Sequence, residues 1–213
     1  SPGATPDPDA DEVALLSEWV TERLTEWTPT ITAEALYENL TDGDGTNDPF
    51  ILSVRSREHY ELGHVPGACH LPWREIASEA NLALLPGDRP IVVYCYTGHA
   101  GQVATTVLNV LGYDVTNLKF GMMGWTDDAE VLGTDPFAGG AGYPVEIEPN
   151  EWTDTYRAPI LDTGESDPIA IARVRAESFL ADWRPTLDAE ALFENLSDGD
   201  EANDPFILSV RSG

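Results

Sequence analysis

Apolar positions in this chain recur first at helical spacing. Between residues 11 and 27, Val13, Leu15, Leu16, Trp19, Val20 and Leu24 approximate one face of a helix. Thr32 followed by residues 34–40 predicts a short second helix with the threonine as N-cap, ended by the Asp-Gly-Asp-Gly run at 42–45. The pattern then changes. Residues 50–54 form a short apolar run that reads as a buried strand and leads into a helix over 55–62, with charged outer positions and Gly63 as its C′ residue. Residues 69–71 predict a brief strand before Pro72. The clearest strand is 91–94, IVVY, wholly apolar and rich in β-branched residues after Pro90. An amphipathic helix over 101–111 ends at Gly112, and 115–118 is the next strand. Strand and helix in alternation predict a parallel sheet with helices on both faces. Residues 126–168 lose this rhythm, with only 144–147 strand-like, and read as tail and linker.

Self-similarity changes the picture of the whole chain. Residues 31–56, ITAEALYENLTDGDGTNDPFILSVRS, return at 187–212 as LDAEALFENLSDGDEANDPFILSVRS, an offset of 187 − 31 = 156. The match extends upstream through Trp27 and Trp183 and through Pro29 and Pro185. The stretch beyond Ser56 in the first copy, including Cys95, has no counterpart in the second, so only the first unit can be catalytically complete. The repeated segment carries a helix, loop and strand without a sheet of its own. It either hangs loosely or exchanges with its equivalent in another copy, giving a domain-swapped homo-oligomer through 187–212.

Charge narrows the partners. With 38 acidic and 11 basic residues the formal net charge is −27, and Lys119 is the one lysine. Neither nucleic acid nor an anionic membrane surface suits such a chain, because nothing in it neutralises a row of phosphates. No apolar run approaches the roughly 20 residues that span a bilayer. The first residues, SPGATPDPDADE, read as a disordered leader with neither a basic nor an apolar signal region. The acidic, lysine-poor composition is first of all that of a plain solvated surface; with any signal peptide already removed, it also suits an extracytoplasmic setting ahead of a cytoplasmic one. The oxygen-rich DGDGTND run invites a calcium reading, but it lacks the later bidentate Glu of the twelve-residue calcium loop and reads as a solvated turn.

Two cysteines, Cys69 and Cys95, make no disulfide framework and match no zinc-ligand spacing. Cys69, on the brief strand after Pro-Gly-Ala, reads as a small buried hydrophobe too far from Cys95 to bridge. Cys95 is different. In VVYCYTGHAGQ it stands after a buried strand and before a helix, with Gly98 and Gly101 letting the intervening loop curl. Such a corner aims backbone N–H groups and the positive end of a helix at one sulfur, which favours thiolate over thiol. It also lies where open parallel sheets bind ligands.

FILSVRSREHYELGHVPGACHLPW resembles the first signature of rhodanese-like domains, and IVVYCYTGHAGQVATTVLNVLGYDVTNLKFGMMGW resembles their active-loop region, final strand and Gly-Trp ending. The resemblance covers about residues 28–126. It implies an α/β fold around a central five-stranded parallel sheet, and catalysis through a persulfide on the loop cysteine, here Cys95. Substrates of the family include thiosulfate, mercaptopyruvate and protein persulfides, with cyanide or a thiol as acceptor. On that basis the leader is 1–12, the rhodanese-like domain 13–130, the linker 131–168, and the truncated start of a second repeat 169–213.

Three departures bear on substrate. Many rhodaneses carry a basic residue just after the cysteine and another near the loop's end, whereas this loop has Tyr96, Thr97, His99 and Ala100. A small sulfur anion must therefore be held by the amides of residues 96–101 and by hydroxyls, helped by His99 when it carries a proton, and a protein-borne persulfide gains ground as donor. The Asp of the family's Asp-x-Arg signature is Ser53, which leaves Arg55 without its customary neighbour. No Arg stands where a C-x5-R phosphatase requires one. The expected site is thus Cys95 as nucleophile, with Tyr96, Thr97, Gly98, His99, Ala100, Gly101 and Arg55 binding substrate. His64 reads as structural, and Trp73 and Trp125 as core or rim aromatics. No metal or organic cofactor is called for. A rhodanese-like sulfur carrier, sensor or docking module without turnover is the alternative.

Overall fold

The computed structural model describes residues 11–133, 142–144, 159–182 and 186–210, so most of the expected leader and of the strand expected at 144–147 lies outside the described residues. Five parallel strands run β1 (Thr30–Ile31), β2 (Phe50–Ser53), β3 (Cys69–His70), β4 (Ile91–Tyr94) and β5 (Val115–Leu118), in the spatial order β1-β5-β4-β2-β3. Apolar residues occupy every position of β4 because both faces of a central parallel strand are covered. Alternation then divides its side chains between two cores. Ile91, Val93 and Cys95 join Leu52 and Val54 in one, while Val92 and Tyr94 join Ile51 in the other.

Helices close both cores, which gives the α/β sheet with two covered faces. The first core takes Leu16 of α1 (Glu12–Thr25), and also Ala104 and Leu108, which belong to the helix His99–Val110. The second takes Leu36 of α2 (Ala33–Thr41), Tyr60 of α3 (Arg57–Leu62), and Met122 and Leu132 of the helices Gly121–Trp125 and Ala129–Leu132. In chain order these come after α4 (Glu79–Leu82) as α5, α6 and α7. No helix among the described residues is long and apolar enough to cross a membrane.

Local chemistry sets several boundaries. The Ser56 hydroxyl accepts the N–H of His59, so α3 starts at Arg57, two residues later than the pattern predicts. α5 starts two residues earlier than expected, because Gly98 already turns the chain into it. Gly63 is not a left-handed C′ residue: its φ is 171°, ordinary extended backbone. What requires glycine is proximity, since a Cβ there would lie 2.8 Å from Cγ2 of Val131 in α7. β1 is too short to leave a periodic signal, and exists because β5 pairs with it, Asn117 N–H donating to Pro29 O and Lys119 N–H to Ile31 O.

The acidic loop at 42–48 is satisfied from within. Asp42 accepts the Asp44 N–H at 2.7 Å and the Asn47 side-chain amide at 3.0 Å, and Asp44 accepts from Thr46. Its repeat keeps the backbone and amide bonds of this network, Asp198 accepting from Asp200 N–H and from Asn203 and Asp200 from Ala202 N–H, and lacks the Thr46 hydroxyl bond. The shared sequence therefore fixes the same Asx-turn geometry twice.

The chain divides into two compact units, residues 1–136 with 156–183, and residues 137–155 with 184–213. Helix α8 (Pro168–Asp182) is the repeat's counterpart of α1, since 12 + 156 = 168, yet it belongs to the first unit. Its Ala172 and Leu180 are buried in the first core, and Arg74 donates to Leu180 O at 2.9 Å. α1 docks by other means: the Trp19 indole donates to Val110 O and Arg23 to Asn109 O. Arg175 and Phe179 hold the equivalent places in α8. In the second unit, Asp188 caps α9 (Ala189–Ser197) and Phe193 stacks on Tyr143 at 4.4 Å. Residues 206–210, identical to 50–54, form no strand and are exposed, Leu208 to 59% where Leu52 is at 0%. FILSV becomes a strand only between neighbours such as β3 and β4.

Segment 163–165 is tied to α1 by one carboxylate. Burial works against ionisation of Glu12, but N–H groups of Thr163, Gly164 and Glu165 and the Thr163 hydroxyl outweigh it, holding the carboxyl below its ordinary value of 4.5. A depressed carboxyl contributes stability above the unfolded-state value and loses it as pH falls through the folded one. Glu12→Gln is therefore expected to lower Tm at pH 7, with the gap to the wild type closing as pH drops below 4.5. A gap that persists unchanged into acid, in melts followed by circular dichroism, contradicts this.

Candidate active site

Cys95 comes directly after β4 and is 2% exposed. The chain there is held from both sides. Val54 N–H donates to Tyr94 O, while Cys95 O and Tyr96 O accept the N–H groups of Met122 and Met123 in α6, each at 2.9 Å. Gly98, at φ 96°, turns the loop back so that its N–H points to Cys95 Sγ at 3.1 Å. The first bond of α5 runs from Gln102 N–H to Gly98 O, so the N–H groups of His99, Ala100 and Gly101 precede it and have no acceptor within the helix. The sulfur thus receives one amide directly, from a loop that ends in the positive terminus of a twelve-residue helix. The sequence predicted a full ring of amides over 96–101. The observed bond is narrower because Tyr96 is bound elsewhere and residues 99–101 are already helical.

Two glycines make room for this corner. A Cβ on Gly121, at φ 54°, would lie 2.5 Å from Cys95 O and 2.9 Å from Gly98 N. One on Gly101 would meet Asn117 Oδ1 at 2.4 Å and Cys95 N at 3.2 Å. Gly101 therefore serves close packing, not the curl of the loop that its spacing suggested. Asn117 is buried in β5 and donates its side-chain amide to Gly98 O at 3.2 Å, fixing the carbonyl at the head of α5. Phe120 is the one described non-glycine residue with positive φ, at 63°, and is 55% exposed beside Gly98. Lys119 lies 5.4 Å from the centre of its ring.

The remaining expected residues do not share one role. Thr97 and His99 pair with each other at 3.0 Å on the exposed rim, and Ala100 packs against the first core. Tyr96 turns away to α3, where its hydroxyl meets the Ser56 N–H at 3.0 Å and His59 Nδ1 at 2.7 Å. Arg55 is engaged by the protein itself. It is 2% exposed, donates NH1 to Val131 O at 2.7 Å and NH2 to Gly63 O, and lies 5.6 Å and 5.8 Å from the rings of Tyr94 and Tyr96. With Ser53 in place of an acidic neighbour, backbone carbonyls and aromatic faces compensate its charge.

Cys69 is exposed, not buried as expected, because β3 is the edge strand. In register Cys69 faces Leu52 and Leu52 faces Val93, which puts two strand spacings, about 10 Å, between β3 and β4. That separation excludes a disulfide with Cys95 in this fold. His64 stacks on Tyr60 at 4.2 Å. Burial, followed by the nearby Cys69 and Tyr94, pushes the Tyr60 phenol up, and it donates to Ala68 O. Trp73 packs on the first core and Trp125 on the second. Among the described residues no group of three or more His, Cys, Asp or Glu could hold a metal ion.

Asn117, Phe120, Gly121, Ser56 and His59 take part in this corner without belonging to the residues expected from the sequence. Gly121 had a visible signal, a glycine just beyond a strand end. The Tyr96 contacts span 37 and 40 residues, a separation at which no local pattern exists.

The sequence model described as the rhodanese-like domain matches residues 32–128. A sulfurtransferase of Allochromatium vinosum is 31% identical over 96 residues, which are 45% of this chain and 85% of that protein. A candidate sulfur carrier protein of Bacillus subtilis, YrkF, is 32% identical over 103 residues, 48% of this chain, and the match spans about half (53%) of that relative. Among solved structures, the human single-domain sulfurtransferase TSTD1 is 27% identical, with 48% of this chain and 98% of that chain covered at a TM-score of 0.41. The matched stretch, from the N-cap of α2 to the N-cap of α7, contains four of the five strands and the whole Cys95 corner, and this chain belongs to the rhodanese-like domain family.

Proposed function

We propose that the chain is a sulfurtransferase that moves a sulfane sulfur through a persulfide on Cys95. The observation that carries this reading is the Gly98 N–H aimed at Cys95 Sγ at 3.1 Å, at the head of α5. That donor is placed to stabilise the attacking thiolate, and the thiolate that leaves when the acceptor takes the outer sulfur. The Cys95 thiolate attacks the outer sulfur of the donor, a new S–S bond forms, and the donor's own bond to that sulfur breaks with its electron pair leaving on the departing anion. An acceptor thiolate or cyanide then takes the outer sulfur and Cys95 leaves as thiolate. The donor class is a thiosulfate- or persulfide-type molecule. The lack of any Lys or Arg in residues 96–101, on a chain of charge −27, favours a persulfide borne by a thiol or protein. The relatives' names, sulfurtransferase and candidate sulfur carrier, support the class of chemistry.

A carrier without turnover is the second reading, favoured by the burial of Cys95. Mass spectrometry after incubation with thiosulfate or a glutathione persulfide is expected to find one added sulfur on Cys95. Cyanide is then expected to release thiocyanate continuously while donor lasts. Release of one equivalent and no more supports the carrier, and no added sulfur with either donor removes both readings.

A further inference from the structure

We infer that Tyr96 is a latch that holds the Cys95 loop shut, making it a positioning residue rather than a substrate-binding one. The inference rests on sulfur transfer at Cys95 for one of its readouts only. The residue after the nucleophile is bolted to the β2–α3 junction. Its phenol oxygen receives the Ser56 N–H at 3.0 Å, lies 3.0 Å from Ser56 Oγ, and lies 2.7 Å from His59 Nδ1. The His59 and Tyr96 rings meet edge to face, 5.4 Å apart at 84°.

His59 is itself fixed. Its N–H donates to Ser56 Oγ at 3.3 Å and its Nδ1 lies 3.0 Å from the same oxygen. Its ring fills the space a side chain on Gly133 would take, 2.6 Å from that Cβ position. On the other side the Tyr96 carbonyl is held by Met123 N–H. The loop is therefore pinned to α3 through a side chain and to α6 through the backbone, and Cys95 beneath it is 2% exposed. In the latched state Cys95 is little exposed, yielding of the loop would admit a donor, and the Tyr96 hydroxyl is the fastening that lies on the solvent side, with the Ser56 contacts exposed. A substrate-binding residue at this place would have its polar end free for the ligand. This one is met by three protein atoms, two of Ser56 and one of His59.

The experiment uses the full chain carrying Cys69→Ser, so that Cys95 is the one thiol. Alkylation by iodoacetamide at fixed pH, read by mass spectrometry, measures access to the sulfur, and hydrogen exchange of the residue 97–101 amides measures opening of the loop. Tyr96→Phe keeps the ring and removes the hydroxyl. It is expected to raise alkylation roughly fivefold or more, the loss of about one net hydrogen bond, and to speed exchange at 97–101 while β4 amides stay protected. With a persulfide donor, kcat is expected to fall while KM changes little, because the loosened loop keeps the Gly98 N–H on the sulfur for a smaller part of the time. His59→Leu is expected to act like Tyr96→Phe. His59→Asn, whose amide can stand where Nδ1 stands, is expected to keep alkylation slow. Alkylation and exchange at the parent rate in Tyr96→Phe overturn the latch, as does a large rise in KM with kcat unchanged, which would mark Tyr96 as a substrate contact. Faster alkylation in a protein that transfers no sulfur leaves the latch standing and removes the transferase reading.

Discussion

Cys95→Ser is expected to abolish sulfur transfer, lowering the rate by on the order of a thousandfold or more, to the level of donor and acceptor alone. The hydroxyl is a far weaker nucleophile at neutral pH and forms no persulfide, so the covalent intermediate is lost rather than slowed. Its effect on the fold is expected to be small by comparison. Cys95 packs with Val93 and Ala104 in the first core, and burying a hydroxyl there costs about 1–3 kcal/mol unless it is hydrogen-bonded. The Gly98 N–H, now 3.1 Å from Sγ, offsets part of that cost. Cys95→Ala separates the two effects, because it keeps an apolar side chain and removes the nucleophile. Both variants are expected to melt cooperatively near the parent and to give no thiocyanate. Turnover by either, in the thiocyanate assay with persulfide donor, would place the sulfur-carrying residue elsewhere. Exposed Cys69 is then the other thiol of the chain.

Sequence and structure agree where a short apolar run decides. IVVY, FILS and the strand at 115–118 lie where the pattern puts them, since wholly apolar short runs in alternation with helices have few other homes. The corner at Cys95 was legible for the same reason: Gly98 adopts the left-handed conformation that a strand-to-helix reversal needs. What escaped depends on distant partners. Nothing in the sequence announced the partners of Arg55, the carbonyls of Gly63 and Val131, the second of them 76 residues away. Cys69 was expected inside, but its exposure results from strand order, which places β3 at the sheet edge. The repeat shows the limit most plainly. Residues 42–48 and 198–204 form matching turns because their bonds are local, whereas FILSV is a buried strand in one copy and exposed chain outside any strand in the other.

Gly121→Ala is expected to damage both stability and transfer, and a second glycine shows why. At φ 54° an added Cβ meets the left-handed penalty, about 1–2 kcal/mol. It would also stand 2.5 Å from Cys95 O and 2.9 Å from Gly98 N, backbone atoms that cannot rotate aside. Relief requires α6 to withdraw, and the bonds from Met122 and Met123 to the Cys95 and Tyr96 carbonyls go with it. The combined cost is expected at about 3–5 kcal/mol, a value reached where strain and lost buried hydrogen bonds add. Gly112 has φ 98° and open space around its Cβ position, so Gly112→Ala isolates the conformational penalty. The denaturation midpoint is expected to fall modestly for Gly112→Ala with transfer retained. For Gly121→Ala it is expected to fall much further, with kcat reduced more than about tenfold at a temperature where the protein is still folded. Equal losses in the two variants would mean that the corner yields freely. The close packing of α6 against the Cys95 loop would then have no part in holding the sulfur under its amide.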